Sequence, residues 1–398
     1  MAPLSFTPSH AVLFFLLFLS VCSSSPFAVT AAAVPGPARA IRNGSGFSRI
    51  YAFGDSFTDI GNTNDSLWPF SFGHAHQLPY GSTFGRPTGR YSDGRLVVDF
   101  LAAALSLPSP PPYLHPAGAM NSSAGANFAV AGSTAIDHSF FVRNNLSLDI
   151  IQQSLGTQLA WFERLMAERG CGGRRHRRLP AACTAEMESA LFWVGEIGVN
   201  DNAYIVGSRV SPDQVQELVL DSVTRFLEAL LSKGAKYMVV QGHPLSGCLP
   251  LTLSLVPAGD HRDDLACSAS QNRRSAAFNV LLQSRLDDLR RRHPRAIISY
   301  ADYAAAHRAV MKNPKAFGFR EPFKTCCGSG GGPFNFDLFA TCATPAVTTA
   351  CPDPRRYINW DGAHLTEAMY KVLADMFIRR GYCRPSFSFL LSSKQRGV

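Results

Sequence analysis

No run of 18 consecutive apolar residues occurs in the chain, which excludes a continuous membrane-spanning helix of ordinary length. No internal repeat of fixed period is present, so solenoid and propeller architectures are not expected. Charged residues make up only 17% of the 398 positions against 46% apolar, a balance that excludes a disordered chain. Paired C-x-x-C spacings are missing, and the His74-x-His76 pair has no accompanying acidic or cysteine set, so no metal site is expected. The glycine-rich segment Thr325 to Pro333 lacks the G-x-x-x-x-G-K-[ST] order and does not open a helix after a strand, which argues against a phosphate-binding loop. What is there, 32 Gly, 26 Pro and 11% aromatics, describes a loop-rich globular chain. Lys and Arg (38) exceed Asp and Glu (29), an excess that allows attraction to anionic surfaces without identifying one.

Met1 to Ala38 contains no charged side chain, and Ala11 to Cys22 within it is an apolar and small-residue run of twelve. That run is too short to span a bilayer; followed by Ala31-Ala32-Ala33, it reads as a cleaved secretory signal peptide over residues 1–33, despite an n-region without Lys or Arg. A linker over 34–46, a folded domain over 47–383 and a tail over 384–398 are expected to follow. The FSFLL string in the tail is too short for a GPI signal or anchor helix. Entry into the secretory route would make the N-x-S sequons at Asn43, Asn64, Asn121 and Asn145 surface glycan acceptors. With Cys22 removed, nine cysteines remain: Cys171, Cys183, Cys248, Cys267, Cys326, Cys327, Cys342, Cys351 and Cys383. An oxidising compartment favours disulfides, with at least one thiol left over or paired between chains; Cys171 with Cys183 and Cys248 with Cys267 are local pairs, and connectivity is otherwise open.

Five short apolar runs alternate with amphipathic stretches, the pattern of a parallel sheet wrapped by helices in one doubly wound α/β domain. Strands are expected at Ile50 to Phe53, near Asn127 to Val130, at Ala190 to Val194, Tyr237 to Gln241 and Ala296 to Tyr300. Apolar spacing of three and four predicts helices over Gly94 to Leu107, Leu146 to Ala167, Pro212 to Ser232 and Ala269 to Arg292, and a last one from Thr366, as N-cap, to Arg379. The basic segment Gly170 to Cys183 reads as a solvated surface loop, or as a docking patch for an acidic polymer or anionic lipid.

Gly54-Asp55-Ser56 ends the first strand, and in an open parallel sheet that edge is where ligands bind. A serine there presents a hydroxyl and a backbone N–H to one substrate, although Asp and Ser also suit any helix start. Asp361 and His364, three residues apart before a helix, let a carboxylate fix one imidazole nitrogen while the other takes a serine proton. Gly132, after the second strand, and the Asn200 amide, after the third, are further donors for a developing oxyanion; as ordinary residues both would simply be turn formers.

These blocks resemble the plant branch of the GDSL esterase/lipase family within the SGNH hydrolases. The likeness lies in Gly54-Asp55-Ser56 with Asp59-Ile60-Gly61-Asn62, in Asn127-Phe128-Ala129 before Gly132, in Gly198-Val199-Asn200-Asp201, and in Asp361 to His364. Pro79-Tyr80-Gly81, Arg86 to Arg95 and Cys326-Cys327-Gly328 add the plant pattern, and the likeness runs from about Phe47 to Cys383. It implies a three-layer α/β/α, flavodoxin-like fold with a central parallel sheet of about five strands. It also implies Ser56 as nucleophile, His364 as base and acid, Asp361 as orienting carboxylate, and Ser56 N–H, Gly132 N–H and Asn200 as the oxyanion hole, with no metal or organic cofactor. Phe57 where the family name has Leu, and Leu365 where bacterial relatives often have Pro, change no reacting group.

The reading is a serine esterase or lipase that cleaves carboxylic esters through an acyl-enzyme in the secretory route, in the cell wall, apoplast or ER lumen. Its substrate is a small-molecule or polymer ester, placed first in plant lipid metabolism as a cuticle or pollen-wall precursor; the alternatives are an O-acetylated wall polysaccharide or an acyl ester of a secondary metabolite, with acyl transfer an alternative to hydrolysis. A reading of another class is an inactive binder of wall polyanions through Arg174 to Arg178. The leader argues against a nucleic-acid partner.

Overall fold

The central sheet is built from the apolar runs. β1 (Arg49–Phe53), β2 (Gly125–Asn127), β3 (Ala190–Val194), β4 (Tyr237–Gln241) and β5 (Ile297–Ala301) pair in parallel in the order β2-β1-β3-β4-β5. In this computed structural model residues 46–65, 74–115, 123–146, 151–171 and 180–397 are described. Every described residue belongs to one compact unit. The expected signal peptide, Asn43, Asn121 and the arginines of the basic segment lie outside the described residues. Asn145 is exposed.

Strands alternate their side chains between two layers of helices. Ile50, Ala52, Leu191 and Val239 face α1 (Val97–Ala104), α5 (Tyr303–Lys312), α6 (Glu367–Arg379) and α7 (Phe387–Arg396). Tyr51, Phe53, Phe192 and Val240 face α2 (Leu155–Met166), α3 (Pro212–Ser232) and α4 (Ala269–Arg292). Each large apolar side chain buried this way contributes about 1.5–3 kcal/mol. The result is an α/β/α sandwich whose order reverses between β1 and β3, and ligands bind at the carboxyl ends of strands at such a switch point.

β3 and β4, α3 and α4 match their expected bounds, and Thr366 caps α6 by accepting from Met369 N. Other expectations need correction. The second strand ends at Asn127 and does not begin there, because Asn127 Oδ1 accepts from Ala129 N at 2.9 Å and curls the chain. It begins at Gly125, where a Cβ would lie 2.0 Å from Ile50 O. The helices expected over 94–107 and 146–167 are shorter because Leu96 and Ser154 are their N-caps. The sheet has a sixth, antiparallel strand, β8 (Cys383–Arg384), on β5. Residues expected to form a tail are instead α7, which buries Phe387 and Leu390 in the core.

A second, two-stranded sheet pairs β6 (Glu321–Thr325) with β7 (Tyr357–Asn359). Both anticipated local disulfides are present, Cys171–Cys183 and Cys248–Cys267, together with Cys326–Cys351 and Cys327–Cys342; Cys383 is a buried free thiol. The last two bridges join Tyr80, Tyr91 and Trp360 in a small core next to β7. Among the described residues no helix is long and apolar enough to cross a membrane.

Candidate active site

Ser56 leaves the carboxyl end of β1 in a turn closed by Thr58 N and Asp59 N donating to Asp55 O, at 3.0 and 2.8 Å. The turn is locked to its neighbours by Gln158 on α2, which accepts from Gly54 N and donates to Gly54 O and Ser133 Oγ. Asp59 gathers the N–H groups of Gly61, Asn62 and Ala131, and Asn62 donates to the carbonyls of Asn127 and Ala129. The serine turn and the Gly132 loop are thereby one rigid piece.

Ser56 is 6% exposed, and neither its N–H nor the buried Gly132 N–H has a hydrogen-bonding partner among the described residues. Buried backbone N–H groups are nearly always paired, so two unpaired ones at adjacent strand ends mark a place for a ligand oxygen. Asn200 lies in the first turn of the helix Val199–Tyr204, and its Nδ2 donates to Asp55 Oδ2 and to Ser133 O, each at 3.1 Å. The helix start needs Gly198: its φ is +114°, and a Cβ there would lie 2.7 Å from Val219. Asp201, next to Asn200, accepts from Ala135 N and Ile136 N, both at 2.9 Å, and so holds the far side of the Gly132 loop.

The Asp361–His364 loop follows β7 and is closed by Trp360 N donating to His364 O at 2.7 Å. Asp361 Oδ1 accepts from His364 N at 2.9 Å and from Ala363 N at 3.1 Å. His364 Nδ1 lies 2.9 Å from Oδ1 and 2.8 Å from Oδ2, and Tyr80 Oη donates to Oδ2 at 2.5 Å. Burial works to raise the Asp361 carboxyl, but the His364 charge, with the hydrogen bonds from His364 and Tyr80, holds it below its ordinary range. The imidazole lies against Phe57 (ring centroids 5.5 Å) and Tyr91 (4.7 Å).

Both neighbours of Ser56 therefore meet the other elements: Phe57 packs on His364, and Asp55 receives Asn200. Ser56 Oγ itself makes no hydrogen bond to a described residue. Beneath the turn, burial raises the Asp55 carboxyl to about 6, against a hydrogen bond from Glu196, the Phe57 N–H and the His364 charge. Burial and the Asp55 charge push the Glu196 carboxyl well above its ordinary range. Burial raises Asp201 to about 7 against the Ile136 and Ala135 N–H groups. Sequence reasoning gave no role to Tyr80, Glu196, Asp201 or Gln158. Tyr80 and Asp361 are 281 positions apart, and only the tyrosine's place in Pro79-Tyr80-Gly81 signalled it.

The family described as GDSL-like Lipase/Acylhydrolase matches residues 50–377. A GDSL esterase/lipase of Arabidopsis thaliana is 53% identical over 354 residues, covering 87% of this chain and 90% of that one. Acetylajmalan esterase 2 of Rauvolfia serpentina is 39% identical over 340 residues, covering 83% and 90%. Among solved structures, a catalytic mutant of Axe2, an acetylxylan esterase from Geobacillus stearothermophilus, aligns with a TM-score of 0.37 at 11% identity over 85% of this chain and 95% of that one.

Proposed function

From the premise that the chain belongs to the GDSL lipase/acylhydrolase family and is a carboxylic ester hydrolase, we propose that it works through an acyl-enzyme on Ser56, with His364 and Asp361 completing the triad. The observation that carries this reading is the carboxylate–imidazole pair of Asp361 and His364, whose ring lies on the residue after Ser56. In the first half-reaction Ser56 Oγ attacks the ester carbonyl and its proton passes to His364 Nε2, while Asp361 stabilises the imidazolium. Negative charge on the former carbonyl oxygen is met by the N–H groups of Ser56 and Gly132 and by Asn200 Nδ2. Collapse breaks the C–O bond to the alcohol, which takes the proton from His364. Water then repeats the sequence on the acyl-enzyme and releases the acid.

The protein acts in the secretory route, a reading supported by the apolar leader and by four disulfides, which persist in oxidising compartments. For the substrate, the relatives named acetylajmalan esterase favour a short acyl group on a small alcohol over a long-chain lipid ester. A p-nitrophenyl ester series of increasing chain length, run beside acetylated xylan, tests this on purified protein. Highest kcat/KM on acetate and butyrate supports a short acyl group. A maximum at long chains assigns a lipid substrate, and preference for xylan assigns a wall polysaccharide.

A further inference from the structure

We propose that Tyr80 is a positioning residue for the acid–base pair: its hydroxyl anchors Asp361 Oδ2 and moderates the charge that this carboxylate turns toward His364. The inference rests on the catalytic reading above.

The anchoring follows from how the carboxylate is held. Two backbone N–H groups, of Ala363 and His364, fix Oδ1. Among the described residues Oδ2 has no such backbone support; besides the imidazole, its hydrogen-bonding partner there is Tyr80, at 2.5 Å. Without that donor a buried anionic oxygen would depend on the imidazole alone, and buried charges without full hydrogen bonding are costly. Tyr80 is well placed to hold still. It is fully buried, its ring lies edge-on to Tyr91 at 5.9 Å and to Trp360 at 5.8 Å, and its backbone N–H donates to Gln77 O. Trp360 also precedes Asp361 in the chain, so the ring that carries the donor and the backbone that carries the acceptor share one packed core.

Tyr80 moves no proton. Burial and the neighbouring carboxylate push its phenol well above the ordinary tyrosine range, so it stays a neutral donor. A neutral donor draws charge from the carboxylate it serves. Asp361 then stabilises the imidazolium less than an unassisted carboxylate would. The other ionisable groups facing this pair are Tyr91 and Tyr370 toward Asp361, and Asp55 toward His364; a change at Tyr80 leaves them in place.

The test compares pH profiles of kcat/KM on one activated ester. In Tyr80→Phe the acid limb is expected to move up by about 0.5–1 pH unit, with the plateau kcat lowered roughly 3- to 30-fold and KM little changed. Site-specific 3,5-difluorotyrosine at position 80, a stronger donor of nearly the same shape, should move the limb down, and it supplies the answer should the Phe variant not fold. A limb that stays put or moves the wrong way in the folded variants overturns the proposal, whatever happens to melting temperature. Ser56→Ala and Asp361→Asn are run alongside. If they lose turnover while the Tyr80 limb is unmoved, the Tyr80 inference alone fails; if they keep turnover, the catalytic reading fails and the inference with it.

Discussion

Asn200 donates through Nδ2 to Asp55 Oδ2 at 3.1 Å, so the amide assigned to the oxyanion hole is tethered to the residue that precedes the assigned nucleophile. Its second hydrogen goes to Ser133 O, beside Gly132. All three proposed donor positions are thus tied together through Asn200, and the Asn200 amide must give up one of these partners to meet an oxyanion.

Asn200→Ala should therefore lower kcat by roughly 10²–10³ with KM little changed, because an oxyanion donor acts fully only when charge has developed. Asn200→Asp should be as poor or poorer, since a carboxylate would stand beside both the oxyanion and Asp55. Steady-state kinetics on folded variants check this, and near-normal turnover in Asn200→Ala removes the residue from the oxyanion hole.

The bridges Cys326–Cys351 and Cys327–Cys342 clamp the segment that pairs with the loop carrying the proposed base, His364. Cys326 N donates to Asn359 O and Cys327 N to Trp360 O, immediately before Asp361. Removing one bridge by Cys327→Ser with Cys342→Ser should cost about 2–4 kcal/mol of stability. Activity should fall before far-ultraviolet circular dichroism reports loss of the sheet. Thiol titration of the denatured, leader-free protein should find one free thiol, Cys383. Nine would contradict the bridges.

His307 is buried in α5 with neither ring nitrogen hydrogen-bonded to a described residue, and burial lowers its pKa to about 4. Its folded value lies below the ordinary value near 6.5 of an unfolded histidine, so its contribution to stability is present above about pH 6.5 and is lost as the pH falls toward 4. His307→Leu removes two unpaired nitrogens and should stabilise by about 1–3 kcal/mol near neutrality. Its advantage over the unsubstituted protein should grow on acidification, by an amount on the order of 3 kcal/mol between pH 6.5 and 4. Melting temperatures across that range decide it; a constant difference would mean that His307 does not titrate as a buried neutral base.

What could be read from sequence was what repeats locally. β3 and β4 are apolar runs and α3 and α4 keep three- and four-residue spacing over 21 and 24 residues, so their ends were legible. β8 has two residues and no period, and α7 offers few apolar positions, so neither stood out until packing against β5 and the core gave them a place. Within the site, Asp361 and His364 were legible because they lie three residues apart. The Tyr80 donor and the Asn200 tether are long-range contacts with no local signature.

The central claim is that Ser56 forms the acyl-enzyme with His364 as its base. Treating the protein with a fluorophosphonate and locating the adduct by peptide mass spectrometry tests this most directly, because stable phosphonylation needs an activated serine. The account predicts one adduct, on the peptide carrying Ser56, absent in Ser56→Ala and strongly slowed in His364→Ala. An adduct on another residue, or full ester turnover by a folded Ser56→Ala protein, would contradict it.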